Sequence, residues 1–127
     1  MNRALRAGVV AGVLSGAPST VHALATGGDV LAATRAAGTL LPGRRSPALR
    51  GALAHVVITA GWTAVLAAVH RRRPFGVVGG AVAGLGIAVL DLEVVGRRYP
   101  AIRALPRWPQ YADHLAFGAL VGGLLRR

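Results

Sequence analysis

Of the ionisable side chains inside or beside the apolar runs of this chain, five could form one polar site, namely His22, His55, Asp91, Asp113 and His114. Imidazole exchanges protons near neutral pH, and a carboxylate next to it can take or return the proton. The same donor types could also ligate a divalent metal ion. No two of the histidines are three or four residues apart, however, which is the spacing of a metal site within one helix. One hypothesis is therefore a single polar site that relays protons or ions among apolar segments.

Each of these residues also has a purely structural interpretation. His22 and His55 can each bond across helices to a hydroxyl or a backbone carbonyl, which we favour for either histidine taken alone. Asp113 can cap the last helix or pair with Arg107. Asp91 lies deeper in its apolar run, although the arginines that follow it could still reach it. The polar set is thus either one site or several separate contacts between helices.

Other polar residues near the apolar runs are expected to have no part in such a site. Glu93 and Arg97 are four residues apart, which predicts a solvated ion pair at a helix end. Trp62 lies in the middle of an apolar run, and we expect it to serve packing. The chain has no cysteine and no Ser-His-Asp order, HExxH, Walker or GxSxG motif. The sequence therefore predicts no catalytic residue, no metal and no cofactor.

The elements that carry these residues are four apolar segments, at 7–25, 51–69, 75–96 and 110–125. A bilayer core about 30 Å thick needs roughly 20 helical residues to cross it. The second and third segments meet that length, and the fourth is short. The first reaches it only if the polar stretch LSGAPSTVHALA belongs to it. The sequence predicts an all-α integral membrane four-helix bundle in one domain, residues 1–127.

Between the first two apolar segments, residues 29–42 predict a short amphipathic helix at the membrane surface. Asp29 is placed to cap the start of this helix, and Pro42 with Gly43 to end it. A segment that dips halfway into the membrane is the alternative.

Small residues recur every fourth position in the apolar segments, which puts them on one face of each predicted helix. Such small-xxx-small faces let helices approach closely in a membrane, as in a glycine zipper. The second segment has the same spacing in Gly51, His55, Thr59 and Thr63. We expect His55, Asp91 and His114 to continue these faces and to point into the bundle. The predicted packing glycines are Gly8, Gly12, Gly16, Gly76, Gly80, Gly84, Gly118 and Gly122.

The formal net charge is +11, and every basic residue other than histidine is an arginine. The arginines form short clusters that flank the apolar segments, unlike the continuous patch with interleaved aromatics that binds nucleic acid. Clusters of this kind are typical of membrane loops and interface anchors. We therefore expect a multi-pass protein of a bacterial inner membrane. Its expected partners are the lipid bilayer and a homodimer or larger membrane complex, with no nucleic acid.

The arginines leave the orientation of the spans open. Four crossings would place seven arginines on the side of Arg3 and eight on the other, so the positive-inside rule chooses neither orientation. Either the chain inserts both ways and forms an antiparallel dimer, or residues 7–42 enter and leave on one side. We favour the second explanation slightly, with a break at Pro18 or at Gly27-Gly28. Cleavage of residues 1–25 as a signal peptide is weighed lower.

The stretch HLAFGALVG resembles the His-x-x-aromatic-Gly-x-x-x-Gly last helix of several families of small uncharacterised bacterial membrane proteins. The stretch AGVVAGVLSGAPSTVHAL resembles the Gly/Ala-rich first helix of the same families. The resemblance implies a small four-span membrane protein of actinobacterial-type composition, and it implies no activity.

For function, the sequence favours a non-enzymatic accessory or structural partner of a larger membrane complex. The alternative is a small transporter or channel that uses the His/Asp site. An enzyme acting on a lipid-soluble substrate is least favoured, because the chain has no constellation that activates a nucleophile.

Overall fold

The computed structural model describes residues 1–127, which are 80% helical and contain no strand, so the all-α prediction is confirmed. The chain forms seven α-helices, and a π-helical segment and a 3₁₀ turn lie between the fifth and the sixth. The elements are α1 (Arg3–Leu14), α2 (Ala17–Thr26), α3 (Ala32–Gly38), α4 (Pro47–Arg72), α5 (Val77–Ala88), a π-helical segment (Val89–Val95), a 3₁₀ turn (Gly96–Arg98), α6 (Pro100–Arg103) and α7 (Arg107–Arg126).

Three stretches are long and apolar enough to cross a membrane, namely Arg3–Thr26, Pro47–Arg72 and Val77–Arg98. Helix α7 has 20 residues but is more polar, and it does not reach the same level of hydropathy. It nevertheless lies at the centre of the fold, because it packs against α1, α2, α4 and α5. The most polar of the long helices is thus the one that the others surround.

The contact between α5 and α7 is made by backbone rather than by side chains. A Cβ added to Gly80 would overlap the backbone of Gly118, and one added to Gly84 would overlap the backbone of His114. Gly122 in turn faces the backbone of Gly76 and Gly80. Missing side chains are what allow two helices to approach this closely.

The other predicted packing glycines have different neighbours. Gly8 faces the side chain of Thr63, and Gly12 faces that of Thr59, so α1 meets α4 through threonines. Gly16 has no neighbour within 4 Å of a built Cβ. Gly51 packs against the backbone of Thr34 in α3, and not against a long helix. Equal spacing in the sequence therefore corresponds to three kinds of surroundings.

The stretch LSGAPSTVHALA contains a break between two helices. Helix α1 ends at Leu14, a turn at 15–16 follows, and α2 begins at Ala17. Pro18 is in the first turn of α2, where the N–H that proline lacks would have no helical partner anyway. The Ser19 hydroxyl donates to the Gly16 carbonyl at 3.2 Å. The chain is interrupted just before Pro18 and then continues as a new helix.

The prediction that residues 7–42 return to the side on which they began is wrong. The order of contacts, with Gly8 beside Thr63 and Gly12 beside Thr59, makes α1 antiparallel to α4. Helix α3 then packs on the first turns of α4, far from the start of α1. Because Pro18 opens a new helix instead of reversing the chain, α1 and α2 together run the length of the bundle.

The bundle accordingly has two ends. The Arg3 end holds the start of α1, the connection between α4 and α5, and the end of α7. The α3 end holds α3, the start of α4, and residues 99–107. Seven arginines lie at the Arg3 end, namely Arg3, Arg6, Arg71, Arg72, Arg73, Arg126 and Arg127, and the other eight lie at the α3 end.

Helix α3 is shorter than the predicted 29–42, with observed bounds Ala32–Gly38. Asp29 accepts from the Leu31 backbone N–H at 2.8 Å and pairs with Arg35, so it caps the turn before the helix. The helix ends at Gly38, which lies against the backbone of Pro47, before Pro42 and Gly43 are reached. The last residue of α3 is thus also the point where it approaches α4 most closely.

Apolar side chains form two buried clusters on either side of Asp91. We call the larger one the apolar plug. It lies toward the Arg3 end and consists of Ala7, Ala11, Leu66, Ala67, Ile87, Phe117, Val121 and Leu125. The smaller cluster lies toward the α3 end and consists of Ala36, Ala88, Leu92 and Ile102.

Candidate functional site

Asp91 lies at the centre of a hydrogen-bonded group between α4, α5 and α7. The indole Nε1 of Trp62 donates to both carboxylate oxygens of Asp91, at 3.2 Å each. The Nε2 atom of His114 lies 3.3 Å from Asp91 Oδ2. About a fifth of each partner side chain is exposed, 20% for His114 and 23% for Asp91. Three helices are therefore joined at one carboxylate in largely buried surroundings.

The contacts of His114 indicate which of its ring nitrogens carries a hydrogen. Its Nδ1 atom lies 2.7 Å from the Gln110 carbonyl oxygen, which can only accept, so Nδ1 carries a hydrogen. Its Nε2 atom faces Asp91 Oδ2, and that contact needs one more hydrogen between the two atoms. The pair is then an imidazolium beside a carboxylate, or a neutral imidazole beside a carboxylic acid. Either form holds one removable proton and has no net charge.

The position of Asp91 depends on the π-helical segment Val89–Val95. A π-helix has a wider turn than an α-helix and frequently occurs at functional sites. It also shifts the register of the side chains that follow, so the predicted pair of Glu93 with Arg97 is wrong. Glu93 instead lies 3.8 Å from Arg107 Nε and accepts from the Tyr111 hydroxyl at 3.2 Å.

Asp113 joins α7 to the start of α2. Its Oδ1 atom accepts from the backbone N–H of Ser19 at 2.8 Å. Ser19 is the third residue of α2, and the first N–H groups of a helix have no acceptor within it. Asp113 therefore caps α2 from another helix. The predicted alternatives, a cap on its own helix or a pair with Arg107, are both wrong, because Arg107 pairs with Glu93.

His55 joins α4 to α1. Its Nε2 atom lies 2.8 Å from the carbonyl oxygen of Gly12, so it donates this hydrogen bond. Gly12 lies in the last turn of α1, where carbonyl groups lack the regular helical donor because the helix stops. The break after Leu14 thus creates an acceptor that His55 satisfies.

Four of the five predicted site residues line one cavity, which we call the chamber. They are His55, Asp91, Asp113 and His114, and the volume is about 90 Å³. Ser15 and Thr59 add hydroxyl groups to the wall, and Phe117 closes it on the side of the apolar plug. Although most of its lining surface is apolar, a cavity of this size has room for water molecules that hydrogen-bond to the ionisable groups. The chamber can therefore supply and accept protons.

His22 lies outside the chamber. Its ring packs edge-on against Trp108, with ring centroids 5.0 Å apart, at the α3 end. It lines a separate cavity with Ser19, Asp29 and Gln110. Helix α2 contacts Asp113 through Ser19. His22 is one turn further along α2 and therefore lies nearer the α3 end.

Trp62 is the site residue that the sequence interpretation missed. It was expected to serve packing, and it donates to Asp91 instead. A buried indole N–H in an apolar helix needs a hydrogen-bond acceptor. Asp91, in another apolar segment, was the acceptor from which the role of Trp62 could have been predicted.

No group of three or more His, Cys, Asp or Glu side chains is arranged to hold a metal ion. No known protein family matches the chain, and neither the curated proteins nor the solved structures contain a significant match to it. The resemblance of HLAFGALVG to the last helix of small bacterial membrane proteins stays a prediction. The geometry and chemistry of the chain's own residues are what support a function.

Proposed function

We propose that this chain is a four-span protein of a bacterial inner membrane that acts as a small proton channel or proton-coupled transporter. The observation that carries the proposal is the hydrogen-bonded pair of Asp91 and His114 at the wall of the chamber, which His55 and Asp113 also line. The pair holds one removable proton, and ionisable groups at such depth are otherwise expensive. Binding and release of that proton is the elementary step.

The residues around the pair support proton exchange. Release of the proton leaves a carboxylate in largely apolar surroundings, which is unfavourable unless donors face it. The Trp62 N–H donates to both oxygens of Asp91 and stabilises that carboxylate. His55 and Asp113 face the same chamber and give the proton a place to go.

Placement in a membrane is supported by the outer surface of the helices. Large aliphatic side chains remain highly exposed on three of them, such as Val13 at 75%, Val57 at 66% and Val78 at 78%. In lipid, unlike in water, exposed apolar side chains carry no unfavourable hydration free energy. Helix α7 serves as the fourth span, because the three more apolar stretches surround it.

The two ends carry seven and eight arginines, so neither end is preferred for the cytoplasmic side. Because α1 and α2 together run the length of the bundle, insertion in both orientations is the explanation of this balance that we favour. An antiparallel homodimer is the assembly that this explanation favours.

A structural accessory role in a larger membrane complex is the second candidate. It is favoured by two bonds that do no more than join helices, from His55 to the Gly12 carbonyl and from Ser19 to Asp113. Under this alternative Asp91, Trp62 and His114 would also serve only to hold α4, α5 and α7 together.

Proton flux into vesicles tests the proposal. The purified protein is placed in lipid vesicles with an internal pH-sensitive dye, and a potassium gradient with valinomycin drives proton entry. We expect flux above that of empty vesicles, and loss of it in Asp91→Asn. Glu93→Gln is the matched control, because this carboxylate lies on the same helical stretch and bonds to Arg107 and Tyr111 outside the chamber.

Flux that equals that of empty vesicles, or flux that Asp91→Asn leaves unchanged, would reject the proposal and favour the accessory role. Accumulation of each variant as folded protein is checked first, so that loss of flux is not loss of the bundle.

A further inference from the structure

Two further cavities continue the chamber toward the α3 end. The first, of about 150 Å³, shares Ile58, Asp91 and His114 with the chamber, and we call it the middle cavity. The second, of about 120 Å³, is the one that contains His22, and we call it the outer cavity. It shares a wall with the middle cavity, made by Ala33, Leu105 and Gln110. The pair of Asp91 and His114 is thus at the inner end of a row of three cavities.

The outer cavity is polar where it approaches the end of the bundle. Ser19, His22, Asp29 and Gln110 contribute polar side chains to its wall. Groups of this kind can hydrogen-bond to water that enters from the surface.

The direct way from the chamber toward the opposite end is apolar and packed. Toward the Arg3 end the chamber meets the apolar plug, whose members Val121 and Leu66 are 0% and 4% exposed. His114 is seven residues from Arg107 and 12 from Arg126, which is about 10 Å and about 18 Å along the helix. The pair is therefore nearer the α3 end, and the longer way out is filled by packed side chains.

The third direction leads sideways to the groove between α1 and α4. This groove shares His55 and Thr59 with the chamber and extends along α1 and α4 as far as Ala4. The bond from His55 to the Gly12 carbonyl lies at the shared wall. The walls of the groove are otherwise glycine, alanine, valine and leucine with threonine hydroxyls. An ion gains nothing from such a surface, which faces the lipid.

We infer that the pair of Asp91 and His114 exchanges its proton through water with the α3 end only, so the chain contains a one-sided proton half-channel closed by the apolar plug. This inference rests on the proposed function. It also names the ligand, because cavities of 90 to 150 Å³ hold water and are too small for an organic substrate. Transfer to the Arg3 end then needs the plug helices to move.

Cysteine labelling tests the route, since the native chain has no cysteine. Single variants are placed in nanodiscs, where both membrane faces are open to silver ions, which react with thiols and are small enough to follow water. We expect Ile58→Cys, at the middle cavity, to react at least an order of magnitude faster than Leu66→Cys and Val121→Cys, in the plug. Ile58 and Leu66 lie on the same helix, so this pair is matched for helix and for side-chain size.

A filling variant sharpens the result. Ala37 lines the middle cavity, and Ala37→Leu combined with Ile58→Cys should slow labelling at Ile58 to the rate at Leu66. Total thiol measured after denaturation confirms that each variant contains a free cysteine. Equal rates at cavity and plug positions, or labelling at Ile58 that ignores Ala37→Leu, would overturn the inference.

Infrared spectra across a pH series separate this inference from the proposed function. A titrating carboxyl band that Asp91→Asn removes and Glu93→Gln keeps shows that the site binds a proton. Such a band together with equal labelling rates rejects only the one-sided route. Unequal labelling rates without such a band reject the proposed function and, with it, the proton as the ligand of the hydrated route.

Discussion

Helices α5 and α7 meet backbone to backbone, whereas α1 and α4 meet through side chains. Both pairs have glycines four residues apart, at Gly80 and Gly84 in one pair and at Gly8 and Gly12 in the other. In the first pair the facing residues are also glycines, and in the second they are threonines. A groove of about 510 Å³ is left open between α1 and α4. The residue across the interface, and not the spacing alone, decides how closely two helices approach.

The largest effect is expected at the α5 and α7 interface. Gly84→Ala adds a methyl group that overlaps the backbone of His114, which cannot move aside without separating the helices. We expect it to lower the free energy of unfolding by about 1–3 kcal/mol. The free energy is measured by titration with SDS in mixed micelles.

Gly86→Ala is the matched control for this prediction, because Gly86 is in the same helix with nothing within 4 Å of a built Cβ. Alanine should stabilise the helix there by about 0.5–1 kcal/mol. Equal effects of the two substitutions would show that the close approach of α5 and α7 does not contribute to stability.

A smaller effect is expected where α2 meets α7, because a single polar bond is involved. Asp113→Ala removes the carboxylate that accepts from the Ser19 N–H, and we expect a loss of about 1 kcal/mol, as for other helix caps. Hydrogen exchange at the Ser19 amide should accelerate more than exchange in α4. Unchanged protection of Ser19 would contradict the assignment of Asp113 as the cap of α2.

The smallest effect is expected at the α1 and α4 interface. A Cβ at Gly12 would lie 2.9 Å from Thr59 Cγ2, the end of a side chain that can rotate. Gly12→Ala should therefore cost only about 0.5–1 kcal/mol, the energy of an unfavourable rotamer. Adding Thr59→Ala removes the methyl group in the way, so the double variant should recover most of that loss. Additive losses would mean that Gly12 acts through something other than Thr59.

The long helices could be predicted from the sequence because each depends on local hydrophobicity. Residues 51–69 lie within α4, and 110–125 lie within α7. The path of residues 7–42 could not be predicted, because it depends on whether Pro18 reverses the chain or starts a new helix. That choice is decided by contacts to α4 and α7, which are far away in the sequence.

The site was predictable where residue type alone marks it. A histidine or carboxylate in an apolar helix is conspicuous, and four of the five predicted residues do line the chamber. The contacts of the neighbouring polar residues were not predictable. Glu93 was paired with Arg97 on the basis of α-helical spacing, and the π-helical segment invalidates that spacing. Trp62 escaped notice because its type fits packing equally well.

The π-helical segment also makes the chemistry of the chamber sensitive to chain length. Removing one residue from Val89–Val95 would turn the wide turn into an ordinary one and rotate everything after it by about 100° relative to α5. Asp91 and Glu93 would then face different parts of the bundle, although neither side chain has been replaced. A single-codon insertion or deletion can therefore change which side chains the bundle presents to its interior, as a substitution can, but without replacing Asp91 or Glu93.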